Sequence, residues 1–188
     1  MFTNYRFISF FLVVLFTLAL PACARSSGPG QLPSSGSPWE GRLKNLFDDS
    51  IDPSAIGLAG TTATTSGGLL QARAEEAHYI LHVRVGTVST EGSDRTLRYL
   101  ITLRVTGDPV VGPRPPTDTI QITIGQDNPS FALAQTKDIQ LTGTPFIAFL
   151  REFDQDGSPV VHWHLARDGD DVVKAARDAA VLSELKKD

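Results

Sequence analysis

The chain has 188 residues, 41% of them hydrophobic and 20% charged, with a formal charge of −4. That length suits one domain with its own core. A mildly acidic chain without a basic block argues against nucleic acid as the partner. A single cysteine excludes a disulfide scaffold and a thiolate zinc site.

Residues 1–22 read as an export signal. Arg6 is their only charged side chain, and residues 7–20 are apolar apart from Ser9 and Thr17. The apolar run is as long as a signal core and shorter than the ~18 residues of a spanning helix. Pro21 ends it, because proline lacks the N–H that a helix needs. Five of the ten phenylalanines (Phe2, Phe7, Phe10, Phe11 and Phe16) lie in this segment and contribute nothing to the core of the mature domain.

Leu20-Pro21-Ala22-Cys23 resembles the lipobox of bacterial lipoproteins. The resemblance covers only the first two dozen residues, and Pro21 is less usual at its position than Leu20 and Ala22 are at theirs. It implies a diacylglyceryl group on the Cys23 sulfur, cleavage before Cys23 and acylation of the new N-terminus. Two or more acyl chains on one residue anchor a protein stably, where one does not. Ala24, rather than an aspartate, follows the cysteine, which in that family implies the outer membrane. Ala22-Cys23-Ala24 also reads as A-x-A, and a cut after Ala24 would discard the cysteine and release a secreted protein.

Residues 23–37 form the lipidated cysteine and a Ser/Gly/Pro tether. As a coil such a tether has a mean reach of about 20 Å. Residues 38–77 are a lead-in of helix and loop. Ser37-Pro38-Trp39-Glu40 has the pattern of a capping box, and Trp39, Leu43, Leu46 and Phe47 follow as one helical stripe. That stripe packs on the domain or, as an alternative, lies on lipid or a partner; the neighbouring Asp48-Asp49 disfavours lipid. Residues 54–68 are Gly/Thr/Ser-rich loop, and a short helix is expected over 69–77.

Residues 78–188 form a β-rich domain with a C-terminal helix. Alternation predicts strands on Tyr79, Leu81, Val83 and Val85; on Leu97 to Val105; on Ile120, Ile122 and Ile124; and on Val161, Trp163 and Leu165. The nearly all-apolar run 146–153 reads as a central strand. A turn of helix is expected at 130–134, a hairpin turn at Asp156-Gly157, and a closing helix after Asp168-Gly169-Asp170 with Val172, Val173, Ala176, Ala180 and Leu185 on one stripe. Five short, mostly antiparallel strands with small helices predict a β-rich α+β fold, an OB-like barrel or curved sheet. In architecture alone this resembles oligonucleotide/oligosaccharide-binding barrels and netrin-like domains, whose cysteine pairs are missing, so protease inhibition does not transfer.

Four histidines are the candidate chemistry. His78 with His82, and His162 with His164, each share a strand face. If their strands were neighbours, four imidazoles could meet on one metal. Each pair lies opposite its strand's apolar row, so the expectation is a solvated face, no metal, and a change of no more than ~0.5 kcal/mol on replacing His162 and His164 by glutamine. Glu152, Asp154, Asp156 and Gly157 imitate the start of a calcium loop, but Trp163 stands where a bidentate glutamate is needed. No nucleophile elbow or zinc-protease pattern occurs. The sequence reading is therefore a non-enzymatic, outer-membrane-anchored binding or assembly module of an envelope complex, without a cofactor. Its partners are the membrane through Cys23 and other envelope proteins. The alternative is a small metal-binding or enzymatic module using the histidine face.

Overall fold

The computed structural model describes residues 36–58 and 67–186. The signal, Cys23, the tether up to residue 35 and the loop 59–66 lie outside the described residues. The elements are α1 (Gly41–Leu46), β1 (Ser50–Ile51), a 3-10 turn (Pro53–Ile56), α2 (Gly67–Glu76), β2 (Tyr79–Glu91), β3 (Arg98–Val105), β4 (Thr119–Ile124), α3 (Phe131–Leu141), β5 (Pro145–Gln155), β6 (Ser158–Arg167) and α4 (Asp170–Leu185). Among them no helix is long and apolar enough to cross a membrane.

The fold is mixed α+β. One six-stranded sheet, in the order β1-β6-β5-β2-β3-β4, curls into a half-barrel. The count differs from the expected five because β1, two residues long, pairs in parallel with β6. The run of apolar residues in β5 does mark an interior strand, between β6 and β2.

Much of the curl comes from β2. Tyr79 to Arg84 pair with β5 and Val83 to Glu91 with β3, so only Val83 and Arg84 pair on both sides. The register shifts between Val85 and Thr87. Such a bulge sharpens the local twist. A Cβ on Gly86 there would come 3.3 Å from the Arg104 side chain and 3.4 Å from the Thr102 carbonyl, a tight fit.

Alternation along the strands builds two cores. Tyr79, Leu81, Val83, Ile101, Leu103, Ile124, Phe146, Ala148, Leu150, Trp163 and Leu165 fill the concave side, with Ala134 and Leu141 of α3. Ile80, Ile147, Phe149, Phe153 and Ala166 face the other way, and Leu46, Phe47, Leu70, Ala74, Val172, Ala176 and Ala179 of the lead-in, α2 and α4 cover them. The helical stripe from Trp39 to Phe47 thus packs on the domain. The helix begins later than the capping box implies. Glu40 is at its N-cap without a side-chain bond, and the Ser37 carbonyl accepts instead from Asp154 N–H at 3.1 Å. Leu185, counted in the α4 stripe, is 67% exposed.

Beyond Thr106 the chain leaves β2 and returns, so that Val110 and Val111 bond the Ile80 backbone where β3 no longer reaches. Gly112 makes this return possible. Its φ is +88° and a Cβ would lie 2.8 Å from the His78 carbonyl. Gly112→Ala is expected to cost about 1–3 kcal/mol through backbone strain and this clash. A urea midpoint shifted down at unchanged slope is the result that checks it.

Candidate functional site

The lead-in is fastened to β6 by side chains that the sequence alone does not pair. Between α1 and β1 the chain turns at Asp49, which takes φ +54°, a left-handed conformation that aspartate tolerates better than most residues. The turn lets Asp49 grip Trp163 twice. Its N–H donates to the Trp163 carbonyl at 2.9 Å, and its Oδ1 accepts the Trp163 N–H at 3.0 Å. Its Oδ2 lies 2.7 Å from His162 Nδ1, and Gln155 Nε2 lies 2.7 Å from His162 Nε2. A carboxylate only accepts, so Nδ1 carries the proton. Nε2 faces the Gln155 amide, so both ring nitrogens have a partner. The Trp39 ring stacks on His162 at 3.6 Å between centroids, and its indole N–H donates to the Phe47 carbonyl at 2.8 Å.

His164 is 1% exposed. Its Nδ1 lies 2.9 Å from Ser50 Oγ and 3.3 Å from Asp48 Oδ1, and the Ser50 hydroxyl donates to Asp48 Oδ1 at 2.6 Å. Burial is the main force holding the His164 pKa below its usual range, with Arg73 adding to it and the Asp48 bond opposing it. At Asp48 burial raises the pKa, but the bonds from His164 and Ser50 and the charges of His164 and Arg73 outweigh it and leave the carboxyl below its ordinary range. Arg73, only 1% exposed, donates from Nε to the Leu46 carbonyl at 2.7 Å. This serine, histidine and aspartate do not form a nucleophilic relay. A relay needs the hydroxyl and the carboxylate on opposite ring nitrogens. Here both face Nδ1.

The expectation of a solvated histidine face is therefore corrected for His162 and His164. They are 6% and 1% exposed. Sequence parity places them opposite the apolar row, as observed, but a second layer made by the lead-in covers that face of β6. The other pair is only partly covered. The Glu152 N–H approaches His78 Nδ1 at 3.3 Å, and His82 Nδ1 is 3.4 Å from Asp168. β5 lies between β2 and β6, so the two pairs are not on neighbouring strands. Among the described residues no three His, Cys, Asp or Glu side chains gather as a metal site would require. The acidic run at 152–156 serves the hairpin. Asp156 and Gly157 both have positive φ, and Asp154 Oδ1 accepts the Gly157 N–H at 2.8 Å.

The curl also leaves a seam that the residue pattern does not single out. Along it β4 borders two hollows, one shared with Val161 of β6 and one shared with the lead-in between α1 and β1. At one end a cavity of about 150 Å³ is lined by Tyr79, Leu150 and Val161 against Ile120, Thr119 and the Pro115-Pro116 connection. At the other, a cleft of about 570 Å³ opens between Trp39, Lys44, Asp48 and Asp49 on one side and Thr123 with the run Gly125 to Pro129 on the other. Only the Gly/Asp/Asn/Pro content of that run hints at a loop available for binding. Comparison with protein-family models, curated proteins and solved structures finds no match in any of the three.

Proposed function

We propose that this is a lipoprotein anchored in the outer membrane through Cys23, whose half-barrel is a non-enzymatic binding or assembly module for other envelope proteins, in export, adhesion or surface motility. The observation that carries the binding role is the unclosed seam, a concave surface with an apolar end and an acidic end. The lipobox and the tether support the anchor. The five longer strands, curled into one partly open sheet, support an architectural likeness to oligonucleotide/oligosaccharide-binding barrels. The acidic lining of the wide end favours protein over nucleic acid as ligand. The competing reading, a metal-binding or enzymatic module on the four histidines, draws less support, since β5 separates the two pairs and His162 and His164 are held by partners of their own.

Crosslinking in intact envelopes tests both halves. Cys23→Ser is expected to abolish lipid labelling and to leave unprocessed precursor or soluble protein. Asp127→Arg, at the wide end of the seam, is expected to remove the proteins that crosslink to the wild type while leaving lipid labelling intact. A mature N-terminus at Arg25 overturns the anchor. An unchanged set of crosslinked proteins in Asp127→Arg overturns the binding role of the seam.

A further inference from the structure

β4 is the long free edge of the sheet; the opposite edge, β1, offers two residues. Hydrogen-bond alternation shows which β4 groups are free. The Val105 N–H bonds the Asp118 carbonyl at 2.9 Å, so Val105 and Asp118 form a hydrogen-bonded pair. Counting on through the register, Ile120, Ile122 and Ile124 bond to β3, while Thr119, Gln121 and Thr123 turn their backbone groups away from it. The Thr119 carbonyl takes the Thr117 hydroxyl at 2.9 Å. Among the described residues β4 pairs with β3 alone. Proteins usually blunt such an edge with charge, proline or a bulge. Thr-Ile-Gln-Ile-Thr-Ile has no charge and no proline, and its register against β3 runs unbroken.

The surroundings decide what can pair there. The edge looks into the seam, where Ile120 shares the narrow end with Val161 of β6, and Thr123 shares the wide end with Asp48 and Asp49. Both hollows lie between β4 and other parts of the same chain, which favours one extended segment over the folded edge of a second copy. A single extended segment can enter. Six residues of strand span about 20 Å, the length of β4. Asp48, Asp49 and Asp127 line the wide end with a single lysine, Lys44; the Asp49 carboxylate is held by His162 and Trp163, so Asp127 and Asp48 are the acids with room for a cation.

The geometry points to β4 as a strand-addition site, where an extended segment of a partner protein bonds the free backbone of Gln121 and Thr123, places an apolar side chain in the narrow end, and sets a lysine or arginine at the wide end beside Asp127. This rests on the reading of the domain as a binding module and names the chemistry of what it binds. Backbone bonds supply affinity, and the two ends of the seam supply selection.

The test uses the full-length protein in detergent. The probe is a six-residue peptide of alternating threonine and valine ending in lysine, blocked at both termini. Binding is expected to slow hydrogen exchange at the Gln121 and Thr123 amides. N-methylation of alternate peptide amides is expected to abolish it, and ending the peptide in glutamate to weaken it about tenfold. Gln121→Pro removes an N–H that β3 does not use, and is expected to weaken binding about tenfold while Gln121→Val leaves it unchanged. Should Gln121→Pro fail to fold, the N-methylated peptide still decides. Absence of protection, or equal binding of the N-methylated peptide, overturns the proposal. Protection that appears without peptide and tracks self-association makes a second copy the occupant and overturns it too. If envelope proteins crosslink through the seam but the peptide does not bind, strand addition fails alone. If no protein crosslinks, the binding role itself fails.

Discussion

Trp163→Ala is expected to lower stability by about 3–5 kcal/mol, the usual effect of emptying a large aromatic site. Trp163 is 2% exposed and lies on the concave side opposite Leu150 of β5, in the core cluster that also holds Ile51. Its backbone is the one that Asp49 holds from both sides. A cavity there would border β1 as well as β5, so the lead-in loses support together with the core. Whole domains are stable by only ~5–15 kcal/mol, so the variant is expected to melt far lower and to be depleted in cells. Unchanged thermal melting in Trp163→Ala would sink the register of β6 against β5.

The second large effect depends on pH. His164→Leu leaves Ser50 and Asp48 without their ring partner in a covered site, which is expected to cost about 1–3 kcal/mol near neutral pH. Acid is expected to narrow that gap. Burial holds the His164 pKa below 6.5, so the unfolded chain takes up its proton before the folded one does. The stability His164 lends is complete above about pH 6.5 and declines as pH falls towards its folded pKa. His78, also lowered by burial and then by the charge of Arg151, has the same sign. Glu152, raised by burial, has the opposite sign, since its folded form binds a proton first. Comparing wild type with His164→Leu cancels both. Urea titrations between pH 7.5 and about 5 check it. A gap that stays constant or widens towards acid would show that His164 carries its charge inside the fold.

Strand parity was legible where apolar and polar residues alternate, as in β3, β4 and β6, and not in β5, which is apolar on both faces. Tyr99, Ile101 and Leu103, or Trp163 and Leu165, declare their face without tertiary information. β1 was not legible, since Ser50-Ile51 has no pattern and is a strand only because β6 offers it an edge. α3 was underestimated. Its true span, Phe131–Leu141, contains Thr136 and a non-helical Lys137 that interrupt the periodicity. The capping box at Ser37 is not used: the helix starts at Gly41 with Glu40 at its N-cap, and the chain at Ser37 is instead tied to β5 through its carbonyl and the Asp154 N–H. The site failed for a related reason. His162 and His164 look like surface residues when judged by their own strand, and the groups that cover them, Trp39, Asp48, Asp49 and Ser50, come from more than a hundred residues earlier. Local sequence carries no trace of that pairing.

The two-residue length of β1 has a mechanical consequence. If the chain is anchored through Cys23 as proposed, a pull between membrane and partner would enter the domain from its N-terminal side and meet the lead-in first. What resists is a short seam. Its backbone bonds are Asp49 N–H to Trp163, Asp52 N–H to Leu165 and the Ser37 carbonyl to Asp154, and the stack of Trp39 on His162 adds to them. The β5–β6 ladder behind it runs for ten residue pairs. Under load the lead-in would peel away while the rest of the sheet stays intact. Residues 36–52 would then act as a fuse: because Trp39, Lys44, Asp48 and Asp49 line the wide cleft, their release would lengthen the tether and undo that end of the binding surface before the β5–β6 ladder yields.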